Sequence, residues 1–221
     1  MHIKNPLEIS LIKTIFFNLK YLPLSQAVKL PIYIYRGVRF NRLKGYIYLN
    51  APQIYHGMIK IGKVIMGNAD SKHQRAILEI DGTIVFTGKA TIGLGTKITV
   101  KEHASLFLGN NFWVTGGNTT IICNKNIMIN DDCLLSWDIL LMDTDFHKIL
   151  NSDNTIINKD KPIHIGKHVW IGCRTTILKG VSIADNNVIA ANSTITKSIS
   201  TKYCIVGRNT EILKTGIQWK E

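Results

Sequence analysis

Apolar positions in the last third of the chain recur at every sixth residue. Isoleucine occupies six successive positions with this spacing: Ile165, Ile171, Ile177, Ile183, Ile189 and Ile195. An α-helix would place apolar residues three and four apart, and a single amphipathic strand would alternate with period two. A solenoid explains the spacing, because each six-residue unit is a short strand plus a corner and three units close a triangular coil.

Weaker versions of the same period extend upstream. One frame holds Ile80, Phe86, Ile92 and Ile98, and a second, congruent with the isoleucine series, holds Ile129, Leu135 and Leu141. We therefore predict an all-β solenoid over residues 59–205, interrupted once by a loop at about 142–164. Such loops often carry function. Residues 1–58 are predicted to form a helical or extended cap, and residues 206–221 a C-terminal tail.

The start of the chain follows a helical pattern instead. Its apolar residues fall on one helical stripe with lysines interspersed: Leu7, Leu11, Ile12, Ile15, Phe16 and Leu19. Two interpretations stay open. The helix either packs on an end or side of the solenoid and protects it from edge pairing, or forms a basic amphipathic contact with a membrane surface.

Charge and cysteine content narrow the class of protein. The 27 Lys+Arg exceed the 15 Asp+Glu and give a formal charge of +12, which favours an anionic partner. No helix-turn-helix or aromatic–basic pattern accompanies the basic residues, so nucleic acid is not expected as a partner.

The four cysteines form no CxxC pair, which argues against a zinc ribbon or disulfide scaffold. Without a signal-peptide pattern or bilayer-spanning run, we expect a cytoplasmic protein, at the inner face of the membrane if the helix contacts it.

The runs 168–172, 177–183 and 188–197 closely resemble the hexapeptide-repeat acyltransferases, and the block 135–147 is similar to the approach to their active site. Within that superfamily the chain looks most like sugar O-acetyltransferases of the capsule and lipopolysaccharide type, relatives of the galactoside and maltose acetyltransferases. The resemblance implies a bacterial protein with a left-handed parallel β-helix, a homotrimeric assembly, and acetyl-CoA in a cleft between neighbouring subunits.

The predicted loop carries the candidate catalytic residues. Acyl transfer to a hydroxyl requires a base, and histidine suits this role because its ordinary pKa of about 6.5 lies near neutral pH. His147 is the candidate base, and Asp143 or Asp145 would orient its ring and stabilise its positive charge. If the segment is extended, alternation places all three side chains on one face.

The pantetheine site is implied by the resemblance. Small residues at Gly172, Ala190 and Ala191 would let backbone amides approach a thin pantetheine arm. Cys173 is interpreted as a wall of this slot and not as a nucleophile. Trp170 would shield the cleft at the subunit boundary, or would pack in the core.

The nucleotide end of CoA has its own candidates. Thr196 and Lys197 match the threonine–lysine contact of the family, and lysine is a suitable point charge for phosphate. Glu211 stands where a relative often has a basic residue against the phosphates, so Arg208 and Lys214 are the expected substitutes.

The predicted function is acetyl-CoA-dependent O-acetylation of a sugar in a bacterial surface polysaccharide or its lipid-linked precursor. Trp137 would stack on the sugar ring, or would pack in the core or the trimer. N-acetylation of an amino sugar and a non-catalytic solenoid scaffold are the alternatives. No metal site is predicted, because His164 and His168 lie four residues apart without a helix to bring them together. A metal-dependent hydratase is disfavoured for the same lack of converging histidines.

Overall fold

The chain builds three parallel β-sheets that form the three faces of a triangular coil. This computed structural model describes residues 8–67 and 69–220; Leu7 of the predicted stripe lies outside them. The helices are α1 (Leu11–Tyr21) and α2 (Leu24–Ala27), and a short 3-10 helix spans Arg208–Thr210. The strands are β1 (Ile32–Ile34), β2 (Val38–Leu43), β3 (Tyr46–Leu49), β4 (Ile59–Lys63), β5 (Ala76–Ile80), β6 (Thr83–Phe86), β7 (Ala90–Gly93), β8 (Lys97–Val100), β9 (Ser105–Leu108), β10 (Phe112–Gly116), β11 (Thr120–Cys123), β12 (Asn126–Ile129), β13 (Leu134–Trp137), β14 (Leu140–Met142), β15 (Ile163–Ile165), β16 (Trp170–Ile171), β17 (Thr176–Leu178), β18 (Ser182–Ile183), β19 (Val188–Ile189), β20 (Thr194–Ile195), β21 (Cys204–Val206) and β22 (Ile212–Thr215).

The chain visits the three faces in a fixed rotation. A nine-stranded sheet contains β1, β4, β7, β10, β13, β16, β19, β21 and β22 in that order. A seven-stranded sheet begins at β2 and ends at β20, and a six-stranded sheet begins at β3 and ends at β18. We call the turn from the nine- to the seven-stranded sheet the first corner. The turn from the seven- to the six-stranded sheet is the second corner, and the turn from the six-stranded sheet back to the nine-stranded sheet is the third corner.

The six-residue period is a consequence of this rotation. Ile171 pairs with Ile189 in the nine-stranded sheet, and Ile177 pairs with Ile195 in the seven-stranded sheet. Each pair is separated by 18 residues, three units of six, so each of these two faces has one inward isoleucine in each of the two coils. All four side chains are fully buried, and stacking them removes from water the apolar surface that one unit could not cover alone.

The coil begins earlier than the predicted boundary at residue 59. Strands β1, β2 and β3 form a complete first coil and pair in parallel with β4, β5 and β6. The period is hidden here because the coils are longer: Ile32 pairs with Ile59, and Ile59 pairs with Ala90. These steps of 27 and 31 residues carry extra turns between short apolar strands. The solenoid therefore starts at Ile32.

Helix α1 covers the open end of this first coil, but with the face opposite to the predicted stripe. Strand β1 is the edge of its sheet, and its free backbone groups bond to the side chains of Thr14 and Asn18. Phe17 completes the buried face. An unpaired strand edge can pair with a strand of another chain. Here polar side chains of the helix form hydrogen bonds with the backbone groups of that edge. The apolar residues at positions 11, 12, 15, 16 and 19 all remain exposed.

Replacing Asn18 by leucine should therefore destabilise the protein although it adds an apolar residue at a buried position. The Asn18 amide donates to Ile32 O at 2.7 Å and accepts from Ile32 N at 3.1 Å, so the change orphans two buried backbone groups. We expect a loss of about 2–4 kcal/mol in the free energy of unfolding. Denaturant unfolding would measure it, with the exposed Ser25→Ala variant as control. A loss below about 0.5 kcal/mol would contradict the capping role.

The C-terminal tail returns along the nine-stranded sheet. Strand β22 pairs antiparallel with β21. Beyond it, the Trp219 ring stacks on His168 with centroids 4.2 Å apart, and its Nε1 donates to the His168 carbonyl at 3.0 Å. The tail thus covers part of the outer surface near Trp170.

Candidate active site

The predicted loop leaves the solenoid at the second corner, between β14 and β15. It folds back on itself, since Leu150 and Ile156 form an antiparallel bridge near its tip. Between the loop and the preceding coil lies a cleft of about 510 Å³. The cleft is lined by Asn124, Lys125, Thr144, Phe146, His147, Lys148, Ile156, Asn158, Lys159 and Asp160.

His147 lies at this cleft with its side chain exposed. Its backbone N–H donates to the Asp145 carbonyl at 2.6 Å, and its own carbonyl accepts from Asn158 Nδ2 at 2.8 Å. Within residues 8–67 and 69–220, no side chain forms a hydrogen bond with the imidazole ring. The backbone is held on both sides while the ring is left available to a ligand.

Asp145 is held by a cation that the sequence analysis did not single out. Lys179 Nζ donates to Asp145 Oδ2 and, at 2.7 Å, to the Asn158 carbonyl. Asn158 Nδ2 also donates to Asp145 Oδ2, at 2.8 Å. The Lys179 ammonium, followed by the Asn158 amide, holds the pKa of Asp145 below its ordinary value. Asp145 therefore anchors the loop to the next coil, and in this structure it does not orient the His147 ring.

Asn158 ties together the two ends of the loop. Besides its bonds to Asp145 and to the His147 carbonyl, its side-chain oxygen accepts from the Ile149 N–H at 2.7 Å. One amide therefore fixes three positions around His147. The sequence analysis does not single out Asn158, because nothing in a local pattern shows that residues 145 and 158 meet.

Asp143 has a different partner set from the one predicted. It is fully buried, and its carboxylate oxygens accept from the backbone N–H groups of Asn124 at 2.6 Å, Lys125 at 2.9 Å and Asn126 at 2.8 Å. These three consecutive N–H groups form the second corner of the coil below. The contacts of Asp143 hold this corner and do not reach the imidazole, so the predicted orienting role is replaced by a structural one.

The expected common face of Asp143, Asp145 and His147 does not form, because the segment is not extended. Phe146 has a φ of 59°, and its N–H donates to Thr144 Oγ1 at 3.0 Å, which closes a side-chain turn. The turn directs Asp143 into the solenoid and leaves His147 outside.

The predicted pantetheine slot lies at the first corner. Gly172 N–H donates to the Ile189 carbonyl, and Ala190 N–H to the Val206 carbonyl, each at 2.8 Å. A Cβ at Gly172 would lie 2.7 Å from the Ala191 nitrogen, so the corner requires glycine there. Cys173 is half-buried and Ala191 exposed. The surface at this corner is bordered by small side chains.

The two tryptophans of the predicted site both lie on the nine-stranded sheet. Trp137 ends β13 at the first corner, and its side chain is 41% exposed. It therefore lies at the same corner as Gly172 and not at the corner of the His147 loop. Trp170 is half-buried, donates from Nε1 to Ser136 Oγ at 3.1 Å, and has its ring centroid 6.0 Å from that of Trp219. Trp170 is thus packed between its sheet and the tail.

The predicted phosphate contacts are all exposed at the C-terminal end of the solenoid. Thr196 and Lys197 lie at the second corner, directly after β20. Arg208 begins the 3-10 helix, which packs against β20. Lys214 lies on β22, the last strand of the nine-stranded sheet.

The candidate base and the candidate slot lie at different corners of the solenoid. His147 projects from the second corner, whereas Gly172, Cys173, Ala190 and Ala191 form the first. The corners of a triangular coil face apart, and none of the four slot residues lines the cleft at His147.

The comparisons with known proteins agree with this architecture. A family model described as bacterial transferase hexapeptide (six repeats) matches residues 162–197. Galactoside O-acetyltransferase of Escherichia coli (strain K12) is 31% identical over 152 residues, which cover 66% of this chain and 73% of that relative. A polysialic acid O-acetyltransferase of Escherichia coli O1:K1 / APEC is 29% identical over 123 residues, covering 55% of this chain and 40% of its own. The crystal structure of the polySia specific acetyltransferase NeuO shares the fold with a TM-score of 0.60 at 20% identity, covering 86% of this chain and 79% of that one.

The three-faced coil shares the left-handed parallel β-helix fold, and the similarity to galactoside O-acetyltransferase makes the chain an acyltransferase of this class. The chain belongs to the bacterial hexapeptide-repeat transferase family. The fold class and family predicted from residues 165–199 are thereby confirmed.

Proposed function

We propose that the protein transfers an acetyl group from acetyl-CoA to a hydroxyl of a sugar, with His147 as the general base. The observation that carries this proposal is the exposed His147 ring, without a hydrogen-bond partner among the described side chains, at a cleft between the loop and the coil. The names of the two O-acetyltransferase relatives agree with the reaction type.

The proposed reaction is direct transfer. A nitrogen of the His147 ring takes the proton of the acceptor hydroxyl while the hydroxyl oxygen attacks the thioester carbonyl. The tetrahedral intermediate then breaks its carbon–sulfur bond, and the imidazolium returns the proton to the leaving CoA thiolate. The products are an acetyl ester and CoA. Asp145, Lys179 and Asn158 act as positioning residues, because they hold the backbone on both sides of the base.

The separation of the two corners favours an assembly in which neighbouring chains share each site. A homotrimer with the solenoid axes parallel would set the His147 loop of one chain beside the Gly172 corner of the next. In this proposal the slot walled by Cys173 and Ala191 takes the pantetheine arm. Lys197, Arg208 and Lys214 supply positive charge for the CoA phosphates, from the two chains that meet there.

The cleft also suggests the kind of acceptor. Lys125, Lys148 and Lys159 line it beside Phe146 and Ile156, which combines positive charge with apolar surface for the face of a sugar ring. We assign as acceptor a sugar that carries negative charge, in a bacterial surface polysaccharide or its lipid-linked precursor. Asp160 accepts from the Asn124 amide at 2.6 Å and is occupied within the protein.

The first experiment is isothermal titration of the purified protein with acetyl-CoA, with the assembly mass measured on the same sample. One saturable site per chain of a trimer is expected. Products from acceptor sugars then separate O- from N-acetylation, because an ester is cleaved by mild alkali and an amide is not. A well-folded protein that binds no acetyl-CoA would instead be a scaffold.

Cysteine labelling gives a second test of the slot. Cys123, Cys133 and Cys204 are buried, and burial raises the pKa of the Cys123 and Cys133 thiols to about 12 each. Cys173 is the one cysteine with partial exposure, so a maleimide should label one thiol per native chain.

Acetyl-CoA, whose sulfur is blocked, should slow this labelling when it fills the slot. The Cys173→Ser variant should show no fast labelling and serves as the control. An unchanged labelling rate at acetyl-CoA concentrations that saturate the calorimetric site would contradict the placement of pantetheine beside Cys173.

A further inference from the structure

The outward face of helix α1 is apolar and exposed over its whole length. Ile12 is 84% exposed, and the other four apolar residues of this face are each exposed by 46% or more. Leu24 and Val28 of the following segment continue the same exposed surface. We call the segment Leu11–Lys29 the helical base. Exposed apolar residues in such a contiguous group mark a contact surface.

The hydrogen bonds of α1 fix the direction of this surface. Thr14 and Asn18 bond to the free edge of β1, the first strand of the solenoid. The helix therefore lies beyond the first coil, and its opposite face points away from the solenoid along the coil axis. The apolar face forms the end of the molecule and not one of its sides.

Positive charge predominates in the part of the chain that contains the helical base. The segment from Ile9 to Ala69 contains nine Lys+Arg residues and no Asp or Glu, although acidic residues occur throughout the rest of the chain. Lys20 and Lys29 are exposed within the helical base itself. Apolar surface with an excess of neighbouring cations is complementary to anionic lipid head groups above an acyl interior.

We propose that the helical base binds peripherally to an anionic lipid bilayer, with Ile12, Phe16 and Leu19 inserted below the head groups. Within the described residues, no helix is long and apolar enough to cross a membrane. Helix α1 has 11 residues, about 16 Å at 1.5 Å per residue, so it lies in the plane of the interface. The lysines around it contact the head groups.

In the proposed trimer, on which this step rests, three copies of the helical base would bind the membrane more tightly than one. Three parallel chains present three helical bases at the same end, so membrane contacts act together. The loop that carries His147 leaves the fifth coil, roughly 19 Å above the first at about 4.8 Å per coil. The acceptor would then be a glycan whose lipid end is held in the same bilayer.

Co-sedimentation with vesicles tests this proposal with the full chain. We expect the protein to bind vesicles of phosphatidylcholine with added phosphatidylglycerol, to bind pure phosphatidylcholine weakly, and to be released by high salt. Ile12→Glu or Phe16→Glu should lower partitioning by about tenfold or more. Ile12 is 84% exposed, so Ile12→Glu is expected to retain the fold. Leu213→Glu, which changes a residue 55% exposed on β22, should bind as the unchanged protein does.

Two results would overturn the proposal. One is equal vesicle binding by the Ile12→Glu and Leu213→Glu variants. The other is absence of binding by the unchanged protein, with Ile12→Glu reducing the assembly mass, which would make the helical base an interface between copies. Acetyl transfer to a soluble acceptor is measured on the same samples. Ile12→Glu should leave that rate unchanged, so failure of the membrane proposal can be told apart from failure of the proposed transferase function.

Discussion

Replacing His147 by alanine is expected to lower the rate of acetyl transfer by about 10²–10⁴-fold while acetyl-CoA binding stays unchanged. The ring is exposed, and within the described part of the chain it forms no side-chain hydrogen bond, so its removal costs no contact that holds the fold. What is lost is the group that takes the hydroxyl proton. Transfer is measured by release of CoA thiol in the presence of acceptor, and binding by titration.

The matched control is Lys148→Ala, which alters the neighbouring exposed residue of the same cleft. We expect Lys148→Ala to raise the KM for a charged acceptor and to leave kcat nearly unchanged. A His147→Ala variant that kept most of its kcat would contradict the assignment of the base. Equal loss of kcat in both variants would point to a general disturbance of the loop.

Mixed assemblies test whether two chains build one site. His147→Ala should be inactive in transfer, and Cys173→Trp should be inactive because the bulky ring fills the slot. If each site takes its base from one chain and its slot from another, an equal and randomly assembled mixture of the two variants regains about a quarter of the active sites, since each site needs one chain of each kind in a fixed order. No recovery in mixed trimers would place base and slot in one chain.

How far the sequence predicts this fold depends on the length of the coil. Residues 165–199 were predictable because every unit has six residues, so inward positions repeat without interruption. The first coil was missed because Ile32 and Ile59 occupy equivalent positions 27 residues apart. Extra residues in the turns remove the period from the sequence but leave the pairing intact.

The direction of α1 was not predictable, because a rule that buries apolar residues fails at a sheet edge. Such an edge presents backbone N–H and C=O groups, which need hydrogen bonds more than apolar cover. Thr14 and Asn18 supply them, so the polar side of the helix faces the protein. An asparagine and a threonine four residues apart within an apolar helix are the one signal that could have indicated this orientation.

The position of the loop was predictable, but the contacts within it were not. The break in the period located the loop, and the chemistry of histidine makes His147 the candidate base in it. Lys179 and Asn158 were missed because they lie 34 and 13 residues from Asp145. Local spacing also suggested one role for two aspartates, and a single positive φ at Phe146 gives them different roles.

Removing the Asp143 carboxylate is expected to be the most destabilising single change in the loop. Asp143→Ala leaves three N–H groups of the corner, at Asn124, Lys125 and Asn126, without the fully buried carboxylate that accepts from them. We expect a loss of about 3–5 kcal/mol in the free energy of unfolding. Asp143→Asn should lose less, because one amide oxygen can still accept while the amide nitrogen cannot.

Asp145→Ala is the comparison that separates structure from catalysis. Asp145 forms a partly exposed ion pair with Lys179, and pairs of this kind contribute about 0–1 kcal/mol. This variant should unfold nearly as the unchanged protein does but lose activity, because the backbone around His147 is released. If Asp143→Ala instead unfolded normally and lost kcat with a changed pH profile, Asp143 would orient the base after all. Thermal unfolding and transfer rates measured on both variants distinguish the two aspartates. Buried Asp143 should affect mainly the stability of the corner, and partly exposed Asp145 should affect mainly the loop around His147.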